Sequence, residues 1–188
     1  ILLGSILVLA LFADILAPYS PTEQVLRDAL QPPSSKHWFG TDELGRDLFS
    51  RTIHGARVSF QIALLVLGLA TITGGILGAV AGYYGGLWDE VVMRIADIFF
   101  AFPHFLLAMA MVAALGPGLR NAMIAVAIAY WPRYARLLRG TILVIRNNTY
   151  VEAARSLGGR DFHIVTTHIL PNAIAPVLIQ ATMDAGVA

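Results

Sequence analysis

The sequence predicts an all-α protein, a polytopic transmembrane helical bundle truncated at both ends. Composition is the first ground: 57% of the 188 residues are hydrophobic and only 13% charged, against about a quarter charged in soluble domains. The second is the recurrence of uncharged apolar stretches near the roughly 20 residues that cross a bilayer. The third lies at the ends. Residue 1 is Ile, and the apolar run from Ile1 to Ala13 has no basic stretch before it, as a signal peptide would require. The chain stops at Ala188 inside another apolar run. The net charge of +1, with scattered arginines, argues against a nucleic-acid partner. The absence of cysteine excludes disulfides, thiolate metal sites and thiol catalysis.

Residues 1–17 read as the remainder of a first transmembrane helix, and 18–57 as a long polar loop. Within that loop a helical reading from Thr41 places Gly45, Leu48, Phe49, Thr52 and Ile53 on one arc and charges on the other. Asp42 with Arg46 and Asp47 with Arg51 would be favourable four-residue pairs, in an amphipathic helix lying at the interface. Val58 to Trp88 carries no charge and supplies a span over about 58–82. Its Gly74, Gly78 and Gly82, at intervals of four, suit close packing within the chain. A short turn from Leu87 to Arg94 leads to a span over about 95–115, broken by Pro103 and closed by Gly116-Pro117-Gly118. A span over about 120–145 bears Arg133, Arg136 and Arg139 on one stripe, read as snorkelling to phosphate headgroups or facing the cytoplasmic mouth. Residues 146–169 form a loop, and 170–188 begin another span, with Pro171 in its first turn, where a missing amide does least harm. Counting Lys and Arg by alternate loops gives seven against six, which does not orient the chain.

The loop 146–169 carries the most informative pattern. It reads Tyr150-Val151-Glu152-Ala153-Ala154-Arg155-Ser156-Leu157-Gly158-Gly159-Arg160 and closes on Leu170-Pro171-Asn172. Thr149 followed by Glu152 fits a capping box. Ala153, Ala154 and Arg155 are good helix formers. Ala154 and Gly158 lie four apart, where their small size would admit another backbone, and Gly158-Gly159 suits a helix end. The Glu-Ala-Ala pattern, with Gly158 and Leu170-Pro171 at their spacing, resembles the cytoplasmic signature of the membrane subunits of ABC importers. His168 departs from the general pattern, which has Ile there; His-Ile-Leu-Pro-Asn resembles the peptide-transporting branch. Phe39-Gly40-Thr41-Asp42, followed by Gly45-Arg46-Asp47, resembles a segment of one of the two permeases of dipeptide and oligopeptide importers.

The resemblance implies a type I ABC importer permease (MetI-like) of the dipeptide, oligopeptide and nickel branch, in a bacterial or archaeal inner membrane. It assigns ATPase docking to Glu152, Ala153, Ala154, Arg155, Gly158, Leu170 and Pro171, through a coupling helix in the loop 146–169. It also implies a homologous second permease, separate ABC ATPase subunits that bind ATP and Mg, and an extracytoplasmic substrate-binding protein. No cofactor of the chain's own is implied. Membrane lipid is the remaining partner.

Ionisable groups at membrane depth mark pathways by default, which brings forward Asp97, His104 and Asp184 as polar pathway residues. Asp14 lies near the end of its span. Asp97 can pair with Arg94 three residues before it, and His104 can bond a carbonyl freed by the Pro103 kink. The only lysine, Lys36, follows no glycine-rich loop, so no Walker A motif is present. Neither zincin spacing nor a nucleophile elbow appears, and the chain is not expected to be an enzyme. A secondary transporter or channel working without nucleotide would explain the spans and the buried acids. It would leave the docking loop unexplained and would favour an inverted repeat, which is not found. A non-transporting membrane scaffold is the third class.

Overall fold

In the computed structural model, residues 2–186 are described. Among them every regular element is helical, and the single ladder contact is an isolated bridge between Thr41 and Asp47. Two compact units divide the chain, Ile1–Leu64 and Leu65–Ala188.

In the first unit, α1 (Leu2–Leu11) and α2 (Ala13–Leu16) join at Phe12. Asp14 pairs with Arg57 at 3.0 Å. The segment from Thr41 is not the expected amphipathic helix. Asp42 instead closes a turn, accepting hydrogen bonds from the amides of Leu44 (2.9 Å) and Arg46 (3.0 Å) and from the Arg46 side chain (2.7 Å). Desolvation opposes its ionisation, but these hydrogen bonds prevail and hold the carboxyl at about 2. An aspartate committed to nearby amides favours a turn over a helix interior. Asp47 does not pair with Arg51 as expected, and Arg51 reaches Asp42. Asp47 caps the next helix by accepting from the Ser50 amide at 2.8 Å, as an N-cap aspartate should. It also bonds the buried His37 at 2.9 Å. The helix therefore starts at Leu48 and runs unbroken to Tyr84 as α3, so the interfacial helix and the span are one element.

In the second unit, α3 packs closely on α6 (Leu119–Ile145), the expected third complete span. A Cβ added at Gly74 would lie 2.8 Å from Tyr134 Cβ, one at Gly78 2.9 Å from Ala135 Cα, and one at Gly82 3.0 Å from Ile142 Cβ. The glycine ladder thus serves packing within the chain. Only Gly85 separates α3 from α4 (Gly86–Phe100), so the expected turn over Leu87–Arg94 is helical. Gly85 (φ 68°) and Gly86 (φ 52°) take the left-handed conformation that this reversal requires. After α4 the chain bends by 92° at residues 101–103 into α5 (His104–Leu115). Pro103 breaks the span as expected, but into two arms. At 1.5 Å per residue each arm is shorter than the roughly 30 Å hydrocarbon core.

The last span begins earlier than expected. Beyond α7 (Thr149–Ser156), a continuous helix of 24 residues runs Asp161–Asp184. It comprises α8 (Asp161–His163), a π turn (Ile164–Ile169) and α9 (Leu170–Asp184). Leu170 and Pro171 therefore lie inside a helix and not at its start. Pro171 has no amide to donate and crowds the carbonyl four residues before it, and the wide turn ahead of it absorbs that misfit. Among the described residues two helices are long and apolar enough to cross a membrane, Leu48–Tyr84 and Asp161–Asp184, with the α4–α5 pair a third if it forms one span. The core joins Tyr134, Leu138 and Ile142 of α6 to Val151, Ile164, Ile169, Ala173 and Val177.

Candidate functional site

The docking loop is built on α7. Its N-cap is Asn148, in extended conformation and without a side-chain cap. The expected Thr149–Glu152 capping box is therefore absent, because Thr149 is already the first helical residue. The C-terminal end matches expectation closely. Gly158 is left-handed (φ 81°), its amide bonds the Arg155 carbonyl at 3.0 Å, and the Gly159 amide bonds that of Ala154 at 3.1 Å. These two bonds make a complete Schellman motif.

Val151 is fully buried and Ala154 packs against the same core, while Glu152, Ala153 and Arg155 point outward. Ala154 and Gly158 thus do not share an outward face. Ala154 anchors the helix, and Gly158 ends it beyond the last helical turn. Flanking the glycine pair are Leu157 (89% exposed) and Phe162 (80% exposed), the most exposed large apolar side chains among the described residues. They were not singled out from sequence. Their signal is two bulky apolar residues on either side of a glycine pair, in a stretch from Arg155 to His163 whose other residues are polar.

Polar contacts hold this loop to the helices beneath it. The Tyr83 hydroxyl donates to Asp161 at 2.6 Å. Arg146 donates to the Gly82 carbonyl at 2.8 Å, and the Arg155 guanidinium stands 5.8 Å from the Tyr83 ring. On the other flank the Asn172 side chain donates to the His168 carbonyl at 2.8 Å. Leu170 is half-buried and Pro171 exposed, both on the helix that leaves the loop.

The three polar pathway residues separate. Asp184 is buried and accepts from Arg133 (2.8 Å), Tyr134 (2.9 Å) and Gln180 (2.9 Å), tying α9 to α6. Asp97 pairs with Arg136 at 2.6 Å and not with Arg94. The Arg136 guanidinium lies 4.2 Å above the Phe100 ring, which sets it beside Asp97. His104 makes no hydrogen bond among the described residues to a carbonyl freed by the kink. Its ring instead packs 5.7 Å from Phe100 and 5.9 Å from Tyr130. Arg139 grips Asp89 with two nitrogens, Nη2 at 2.6 Å. The stripe expected to snorkel is thus matched, arginine by arginine, to an aspartate on α4 or α9. A charge at membrane depth is tolerated when a partner neutralises it. Among the described residues no cluster of three or more metal-ligating side chains occurs.

Comparison with known proteins agrees with this architecture. Residues 1–33 match the N-terminal TM domain of oligopeptide transport permease C. Over 180 residues the chain is 46% identical to the probable D,D-dipeptide transport system permease protein DdpC of Escherichia coli K12, covering 96% of this chain and 60% of that protein. It is 44% identical over 188 residues to the dipeptide transport system permease protein DppC of Alkalihalophilus pseudofirmus, covering 100% and 62%. Against the glutathione transport system permease protein GsiD of Escherichia coli O157:H7 it is 45% identical over 182 residues, covering 96% and 60%. The chain spans about three-fifths of the length of these curated relatives. The family model of the binding-protein-dependent transport system inner membrane component matches residues 74–188, which hold the glycine ladder, the ion-paired helices and the docking loop, and the chain belongs to that family.

Proposed function

We propose that the chain is part of a permease subunit of an ATP-driven importer, forming part of the path by which peptides cross a bacterial inner membrane. The chain itself hydrolyses nothing. A separate ATPase docks on α7 and the turn after it, a second permease completes the path, and an extracytoplasmic binding protein delivers substrate. The relatives' names support the peptide class. The observation that carries the reading is the division of α7 into two faces. Val151 and Ala154 fasten the helix to the core, while Glu152, Ala153, Leu157 and Phe162 are exposed and Arg155, also exposed, leans toward Tyr83. Leu157 lies outside the spans and Phe162 at the very start of one, and two large apolar side chains exposed beside a polar helix present a surface for another protein. Phe162 sits in the first turn of the helix that continues to Asp184, so a push on the loop moves an entire span.

The test is Leu157→Asp with Phe162→Asp in the full-length permease expressed with its partner subunits. Burying each side chain against a partner contributes about 1.5–3 kcal/mol, so the double variant should weaken ATPase association by roughly a hundredfold or more. Membrane insertion should be unchanged. A purified complex that kept its ATPase and full transport would defeat the docking assignment.

A further inference from the structure

Helix α4 carries Glu90, Arg94 and Asp97 along one stripe, at successive turns, and all three are exposed. At 1.5 Å per residue they stand about 6, 12 and 17 Å along the helix from Gly86. A neighbouring stripe of Leu87, Val91, Ile95 and Ile98 is apolar and also exposed. As one arm of the bent α4–α5 pair, such a helix can offer hydrocarbon its apolar stripe but not its charged one, because charges within a membrane are stable only against protein or water. A cleft of about 430 Å³ opens along the charged stripe, toward Arg139 of α6.

The charges in this cleft are not all matched. Asp89 is held by Arg139 and Asp97 by Arg136. Glu90 and Arg94 make no ion pair among the described residues. One free carboxylate and one free guanidinium therefore stand a helical turn apart, with Cβ atoms about 5–6 Å from each other. The ends of an extended dipeptide, about 7 Å apart at most, suit that spacing. The cleft lies beside the α3–α4 junction, where Tyr83 and Arg146 hold the docking loop.

We infer that this cleft is a weak site for zwitterionic peptides at the docking-loop end of the path. Arg94 takes the peptide carboxylate through its two-pronged guanidinium, and Glu90 takes the peptide ammonium. The inference rests on the peptide-transport reading above.

The experiment uses the full-length permease assembled with its ATPase and binding protein. Arg94→Cys should react with an impermeant, water-soluble thiol reagent and Ile95→Cys should not; an unreactive Arg94→Cys would overturn the aqueous cleft. Uptake is then followed for a set of dipeptides headed by Ala-Ala, together with their C-terminal amides and N-acetyl forms. Arg94→Gln should lower uptake of the free acids about tenfold, in keeping with the loss of a charge-assisted hydrogen bond, and leave the amides within about twofold. Glu90→Gln should do the same for free amines against acetylated peptides. Equal loss for blocked and unblocked forms, in complexes that retain ATPase, overturns the site while peptide transport stands. A wild-type complex that hydrolyses ATP yet moves no dipeptide sinks the transport reading itself, and the ligand assigned to the cleft with it.

Discussion

Replacing Gly78 by alanine tests how closely α3 and α6 must approach. The added Cβ would lie 2.9 Å from Ala135 Cα and closer still to the Ala135 carbonyl oxygen, while ordinary contact begins near 3.4 Å. The atoms it meets are backbone, so no rotamer change relieves the clash, and the helices must part by at least half an ångström. A gap of that size forfeits about a quarter or more of each dispersion contact along the seam, where Tyr134, Leu138 and Ile142 are buried. Overpacking costs about 1–3 kcal/mol, and the better helix propensity of alanine returns about 1. Because backbone is involved we expect the upper end, a net loss near 2 kcal/mol. Gly75 is the internal control, since a Cβ there meets only Leu138 Cδ2 at 3.9 Å. Gly75→Ala should be neutral or stabilising by up to about 1 kcal/mol. The assay is reversible unfolding of the purified permease in mixed micelles with increasing dodecyl sulfate. Equal midpoints for Gly78→Ala and Gly75→Ala would refute the argument.

Two further outcomes follow from the polar contacts. Asp184→Ala should cost about 1–3 kcal/mol in the same unfolding assay, because it strands the fully buried Tyr134 hydroxyl without its acceptor; Arg133→Ala should cost less, since that side chain is 44% exposed. Asp42, held at about 2 against an ordinary 3.8, stabilises its turn fully above about pH 4, and that contribution is lost as pH falls through 2. Hydrogen exchange at the Leu44 and Arg46 amides, corrected for intrinsic rates, should show protection declining over that window in the wild type and flat in Asp42→Asn.

Local spacing made the helical elements legible, along with the glycine ladder and the Gly158 helix end, because each depends on residues within one or two turns. Where a local rule had a competitor, it failed. The expected pair of Asp42 with Arg46 does form, at 2.7 Å, but in a turn and not in a helix, because Asp42 also accepts from the Leu44 and Arg46 amides. The pair expected between Asp47 and Arg51 does not form, because Asp47 caps α3 and bonds His37. Asp97 passed over Arg94, three residues away, for Arg136, 39 residues away and fixed over Phe100. Partners 39–51 residues distant cannot be found by helical periodicity, and they decide whether an arginine stripe snorkels or pairs. For the docking loop, composition located the helix but not its facing. Val151 turns inward only because the core of α6 and the π turn lies beneath it.

The wide turn Ile164–Ile169 sets the rotational phase of everything after it. Each residue of an α-helix turns its successor by 100°. The hydrogen bonds of the wide turn reach one residue further than those of an α-helix, so its six residues turn through about the angle that five α-helical residues would. Deleting one residue between Ile164 and Ile169 should therefore let the turn relax to ordinary helix with Ala173, Val177 and Asp184 still facing inward. The α-helix beyond it holds no such spare residue: a deletion between Ala173 and Val177 would swing Asp184 by about 100°, off Arg133. The slack in this span lies in one turn, at the end that meets the docking loop.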